Sequence, residues 1–172
     1  MGLLKIEGCV QSFKKGDKNS FSLIYDATYR AVYFKALEFM KNKSDAEDIT
    51  QEVYLKVYTS IHTYVVSGGF LSWILKITEN LCLNEIRKRS REYSVDFQTE
   101  GYKYEKGKSD EYSYLFELAK QNLRSDEYEI VMLCQVCGYK RREVAEALKM
   151  PIATITWKNN EALKKLRKVL EK

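Results

Sequence analysis

"DAEDITQEVYLKVY", residues 45–58, carries four carboxylates and a repeating apolar set, with no cysteine, glycine, proline or histidine. On a helical wheel Ile49, Val53, Val57 and Ile61 share one face with Ala46, Thr50 and Tyr54, while Asp45, Asp48 and Glu52 line its edge. The stretch predicts an amphipathic helix that buries one side and shows its acids at the rim. Ser44 stands three residues before Glu47, a capping-box spacing that starts this helix, and the pattern continues to about Tyr64. Rim carboxylates suit catalysis, metal binding or a surface gripped by another protein. Asp45 and Glu47, in the first turn, need no role beyond complementing the helix dipole. Gln51 and Glu52 lie too far along the helix for that explanation.

Working outward, "SFSLIYDATYRAVYFKALEFM" (20–40) repeats its apolar residues at helical spacing and predicts a helix before this one. "VVSGG" (65–69) breaks the pattern, and "FLSWILKITENLCLNEIRKRSR" resumes it from Phe70 as a third long helix. From 92 to 111 the pattern dissolves into a glycine-containing, tyrosine-spotted, net acidic stretch that predicts a flexible linker. Four shorter helical segments follow. With one proline and no strand pattern, the chain reads as all-α: an N-terminal extension (1–20), a helical bundle (21–91), the linker (92–111) and a second helical lobe (112–172).

Composition narrows the function. A carboxylate-bridged metal enzyme built on a helical bundle needs inward carboxylates and Glu-x-x-His pairs on facing helices, and the chain of 172 residues has one histidine, His62. Of the four cysteines only Cys134 and Cys137 are close in sequence; Cys9 and Cys82 are isolated, so neither a zinc set nor a disulfide framework is expected and core packing is their role. No cofactor, metal or small-molecule substrate is expected. The first 20 residues lack the apolar core of a signal peptide, and no apolar run approaches the roughly 18 residues that span a bilayer, so a cytoplasmic protein without membrane insertion is expected.

Two features point to nucleic acid. In the third helix Lys76, Asn80, Asn84, Arg87 and Arg91 are spaced by three or four residues and form one polar stripe, with Trp73 at its upstream end. Such a stripe fits a phosphate backbone, and it equally fits the solvated side of any helix. In the second lobe "GYKRREVAEALKMPIATITWKNNEALKKLRKVL" reads as helix, short turn and second helix, with Pro151 in that helix's first turn. From Gly138 to Lys172 there are ten Lys plus Arg against four Glu, an excess of six, whereas the whole chain carries only +5. Phosphate affinity follows from that concentration, although a basic helical hairpin can also be a packing unit.

Together these residues resemble the extracytoplasmic-function group of sigma-70 family RNA polymerase sigma factors, over nearly the whole chain from Phe21. "DAEDITQEVYLKVY" resembles the family's second region, "FLSWILKITENLCLNEIRKRSR" its promoter-melting and −10-reading helix, and "REVAEALKMPIATI" its fourth-region helix-turn-helix. The resemblance implies a non-enzymatic subunit that binds core RNA polymerase (β′ clamp helices, β flap), directs it to promoter DNA, helps melt the −10 region and is held by an anti-sigma factor. It implies polymerase contacts at Asp45, Asp48, Gln51 and Glu52. It places a flipped −10 base in the loop Val65, Val66, Ser67, Gly68, Gly69, and further −10 contacts at Trp73, Lys76, Asn80, Asn84, Arg87, Lys88 and Arg91. The −35 contacts fall at Arg141, Arg142, Thr154, Thr156, Trp157, Lys158 and Asn160, with Lys158 the foremost phosphate contact. The pattern is broken where the family shows a small polar residue (Lys140), a glycine (Lys149), and bases (Thr156, Glu161, Leu163). Lys140 then forfeits a side-chain cap, and Lys149 has to take a left-handed backbone. Without the resemblance, a stand-alone dimeric helix-turn-helix regulator remains the other reading.

Overall fold

A computed structural model describes residues 5–66, 69–96 and 111–171. Among these residues there is no strand, and eight α-helices follow in order: α1 Ile6–Lys14, α2 Asn19–Met40, α3 Lys43–Ser60, α4 Phe70–Asp96, α5 Glu111–Asn122, α6 Ser125–Val131, α7 Arg141–Ala147 and α8 Ile152–Leu170. A 3₁₀ turn, Ile61–Thr63, follows α3, and a π-helical turn, Met132–Val136, follows α6.

The three long helices α2, α3 and α4 pack on one another, and α1 lies against α2. Ile24, Val32 and Leu37 of α2 meet Val53 and Val57 of α3 and Phe70 and Ile74 of α4, all removed from solvent. Each such side chain contributes about 1.5–3 kcal/mol of transfer free energy. The apolar face read from residues 46–61 is this buried face, down to Thr50 and Tyr54. Two polar groups are accommodated there because they bond each other: Thr28 Oγ1 donates to the Ile24 carbonyl, and its hydroxyl meets that of Tyr54 at 2.8 Å.

Local differences from the sequence reading have local causes. The cap of α3 is Asn42, not Ser44: Asn42 is extended, and its Oδ1 accepts from Asp45 N at 3.1 Å. Lys41 just before it is left-handed (φ 58°), which ends α2 and turns the chain at once into α3. Within the N-terminal extension, residues 6–14 form α1 because Ile6, Val10 and Phe13 repeat at four and three residues. Ile6 and Val10 are buried, and Phe13 packs on Phe21 and Tyr58. Helix α4 runs past Arg91 to Asp96, so the start of the expected linker is helical; positions 97–110 lie outside the described residues.

In the second lobe α6 and α7 pack against α8 around Ile130, Val144, Ile155 and Ala162. Lys140 supplies no side-chain cap to α7; the Glu143 carboxylate instead accepts from the Lys140 amide at 2.9 Å. Lys149 is left-handed (φ 52°), as the missing glycine demands. Pro151 stands immediately before the first helical residue of α8, one place ahead of the first turn in which it was expected.

The lobes meet along α2. Tyr139 Oη donates to the Ala27 carbonyl at 2.8 Å, Lys120 pairs with the buried Glu38 at 2.7 Å, and Lys41 pairs with Glu117 at 2.7 Å. Gly138 at this junction has a left-handed backbone (φ 76°) that strains any residue with a side chain, and a Cβ there would also stand 3.1 Å from the end of the Arg30 side chain. Cys82 and Cys137 are buried packing residues whose thiols burial pushes up to about 12, so they stay protonated at neutral pH. Among the described residues no helix is long and apolar enough to cross a membrane, and no cluster of candidate ligands could hold a metal ion.

Candidate functional site

The acidic rim of α3 divides in two. Asp45 is turned onto α4, where Arg89 Nη1 and Nη2 donate to its two oxygens at 2.7 and 3.0 Å, and Arg89 Nε donates to Glu85 at 2.7 Å. The hydrogen bond from Arg89 holds the Asp45 carboxyl below the usual range despite partial burial. Asp48, Gln51 and Glu52 are exposed. Beside them α2 and α3 form a groove of about 600 Å³ whose walls are mainly aromatic: Tyr25, Tyr29, Tyr54 and Tyr58, with Leu55 at the lip. The rings of Tyr25 and Tyr54 pack at 4.5 Å, tilted by 47°, and burial pushes both phenols up, so they remain neutral hydrogen-bonding surfaces. The tyrosines were visible in sequence, but they come from separate helices, and only packing gathers them beside the acids.

The polar stripe of α4 is open to solvent: Lys76, Asn80, Asn84, Arg87, Lys88 and Arg91 are all exposed. Lys76 donates to Glu79 at 2.8 Å, an exposed pair one turn apart that is worth little and readily given up. Trp73, half-buried at the upstream end, packs on Tyr64 at 5.2 Å and Phe70 at 5.5 Å, giving the start of α4 an aromatic wall. In the loop before it Val65 is exposed, and Val66 and Gly69 are half-buried; Ser67 and Gly68 lie outside the described residues.

In the second lobe Arg141, Arg142, Trp157 and Asn160 are exposed, and Thr154 and Thr156 are half-buried. Arg141 donates to Asn160 Oδ1 at 3.1 Å, which ties the start of α7 to the middle of α8. Trp157 is 59% exposed, a large apolar surface on a basic helix. Lys158 points inward: its side chain is only 12% exposed and pairs with Asp126 of α6. Lys165 pairs likewise with Glu127 at 2.7 Å, and in both cases the lysine's hydrogen bond lowers the carboxyl's pKa. Glu161 is paired with Lys164 at 2.8 Å, which tempers the repulsion a lone carboxylate on this face would exert on phosphate. The exposed cations of α8 that are not tied to another helix by these pairs are Lys164, Arg167 and Lys168. Asp126 and Glu127 sit in "DEYE" and offer no sequence signal of their task, since their partners are more than 30 residues away.

A sequence model of the family described as Sigma-70 region 2 matches residues 24–92, which takes in α2 from Ile24 onward, α3, the loop and the α4 stripe. The extracytoplasmic-function (ECF) RNA polymerase sigma factor SigW of Bacillus subtilis is 30% identical over 98 residues, 57% of this chain, and the aligned stretch spans 52% of SigW's length. The ECF RNA polymerase sigma factor SigX of the same organism is 26% identical over 165 residues, covering 90% of this chain and 85% of SigX. Among solved structures, CnrH in complex with the cytosolic domain of CnrY superposes with a TM-score of 0.58 at 15% identity, covering 96% of each chain, a likeness of fold.

Proposed function

Since the chain belongs to the ECF group of the sigma-70 family, we propose that it binds core RNA polymerase, brings it to a set of promoters and helps open the −10 region. It carries out no chemistry itself; the polymerase does. The observation that supports this reading is the placement of two unlike surfaces within the matched span. Exposed acids on α3, Asp48, Gln51 and Glu52, border the aromatic groove, and an uninterrupted cationic and amide stripe runs along α4. Acids beside an apolar groove suit a basic, helical protein partner, whereas a stripe of asparagine and arginine suits a sugar-phosphate backbone with bases alongside.

In this assignment Asp48, Gln51, Glu52 and the groove take the polymerase, and Asp45 shapes the surface through Arg89. The loop 65–69 takes an unstacked base, whose extraction costs a few kcal/mol and so needs a snug receiving site. Lys76, Asn80, Asn84, Arg87, Lys88 and Arg91 hold the strands around it, with Trp73 as the wall. In the second lobe Arg141, Arg142, Thr154, Thr156, Trp157 and Asn160 face the −35 element, and Lys158 holds α8 to α6 through Asp126. The division of labour follows 21–91 for polymerase and −10, and 112–172 for −35, with 92–111 between them. An anti-sigma factor is proposed as the partner that keeps the chain from polymerase, and its site of action is the cytoplasm.

Size-exclusion chromatography with and without core polymerase, followed by run-off transcription, tests the reading. Co-elution and promoter-dependent transcripts are expected. A stable dimer that binds palindromic duplex DNA without polymerase would replace this function with that of a stand-alone regulator.

A further inference from the structure

Helix α1 bears on the loop through two of its side chains. Tyr64, at the head of the loop, is buried, and its hydroxyl donates to Glu7 Oε1 at 2.7 Å while accepting from the Gly69 amide at 3.1 Å. The same Glu7 oxygen accepts from the Phe70 amide at 3.0 Å. One carboxylate oxygen thus joins the residue before the loop to the first residue of α4 after it. Lys14, two turns further along α1, completes the tie from the other side: its ammonium donates to the Tyr64 carbonyl at 2.7 Å and the His62 carbonyl at 3.3 Å.

The chemistry suits the places. The amides that open α4 lack helical partners and sit at the positive end of its dipole, so a carboxylate is the group that satisfies them best. The carbonyls leaving the turn 61–63 need donors, and an ammonium offers three. Glu7 also has a cost: its second oxygen, Oε2, is buried with no hydrogen-bond partner among the described residues. A carboxylate half-satisfied in this way is poor packing material, since an apolar residue would anchor α1 without that penalty. Its use lies in what Oε1 holds together.

We propose that Glu7 and Lys14 are positioning residues for the base-receiving loop, fixing the separation of Tyr64 and Phe70, between which it runs, so that an unstacked promoter base meets the two ends already in place. Holding these ends removes from the binding step the conformational cost of bringing them together. This rests on the base-receiving role proposed for the loop, and the experiment separates the two.

Holoenzyme is assembled from core polymerase and the full chain, as wild type, Glu7→Ala, Glu7→Gln, Lys14→Met and Tyr64→Phe. Each is titrated with single-stranded −10 oligonucleotides in which one base at a time is made abasic. In the wild type, removing the base that the loop receives should weaken binding about tenfold, the size of one stacked or pocketed base. In Glu7→Ala and Lys14→Met that one penalty should shrink to about twofold or less, while penalties at the other positions, set by the α4 stripe, keep their size. A uniform loss across all oligonucleotides would mark Glu7 and Lys14 as mere supports of the fold and overturn the proposal, as would an undiminished penalty in every variant. Should Glu7→Ala fail to fold, Glu7→Gln and Tyr64→Phe, which remove only a charge and a hydroxyl, carry the same comparison. If the wild type has no abasic-sensitive position at all, it is the base-receiving role of the loop that fails.

Discussion

Among the acids of residues 45–58, Asp45 should behave as a residue of the fold and Asp48 and Glu52 as residues of an interface. Asp45 receives a bidentate guanidinium from Arg89 at 2.7 and 3.0 Å, with side-chain exposures of 25% and 35% for Asp45 and Arg89. A fully exposed pair is worth about 0.2–1 kcal/mol, and a hydrogen bond to a charged group about 1.5–3 kcal/mol before solvent screening. Partial exposure places the pair near 1 kcal/mol, and the loss of a first-turn acid adds about 0.3–1 kcal/mol through the helix dipole. Asp45→Ala should therefore cost about 1.5 kcal/mol, which for a chain of this size lowers Tm by about 3–6 °C. A double-mutant cycle with Arg89→Ala, followed by circular dichroism on melting, should return a coupling near 1 kcal/mol. The pH dependence has a definite sign. The carboxyl titrates below its ordinary 3.8 in the folded protein, so its contribution is complete above that value and is lost as pH falls through the folded pKa. The gap in Tm between wild type and Asp45→Ala should then close in acid. Asp48→Lys with Glu52→Lys should leave Tm within about 2 °C, since exposed changes of this kind cost under about 0.5 kcal/mol, and should abolish binding to core polymerase. A coupling below about 0.3 kcal/mol, or an Asp45→Ala variant that keeps its Tm and loses polymerase, would refute this division of the acids.

Lys158→Ala should lower Tm by about 2–4 °C through loss of its ion pair and leave the salt slope of promoter binding unchanged, whereas Lys164→Ala with Lys168→Ala should flatten that slope by about two; a slope that falls with Lys158 would mean it reaches phosphate. Lys149→Gly should raise Tm by about 1–3 °C, because relief of a left-handed Cβ exceeds the added freedom of glycine in the unfolded chain, and a fall in Tm would show the turn is not strained. Cys82 and Cys137, with thiols held near 12 by burial, should resist iodoacetamide at pH 8 in the native protein and react once it is unfolded; equal rates for all four cysteines in the native protein would contradict their burial.

The helices α2, α3 and α4, the helical hairpin of the second lobe and the exposure of the α4 stripe could all be read from the chain. Each is a matter of repeats over three and four residues, and hydrophobic spacing acts at that range. The left-handed backbone at Lys149 was legible through the family resemblance alone, which places a glycine there, since a turn that wants glycine imposes its φ on whatever residue stands in it. Near misses arose where several local signals competed: Asn42 and Ser44 are both good caps, and the left-handed Lys41 decided for Asn42. Helix α1 was legible in principle from Ile6, Val10 and Phe13, but nine residues rarely hold a helix alone, and it is packing on α2 and the Phe21 and Tyr58 rings that stabilises it. Which charges face outward was decided only by the tertiary structure. Asp45 and Arg89 are 44 residues apart, Lys158 and Asp126 are 32 apart, and Glu7 and Phe70 are 63 apart. A charged side chain reads the same in sequence whether it waits for a partner protein, a phosphate or a carboxylate across the core, because the hydrogen bond that commits it exists only once distant helices have been brought within 3 Å of each other.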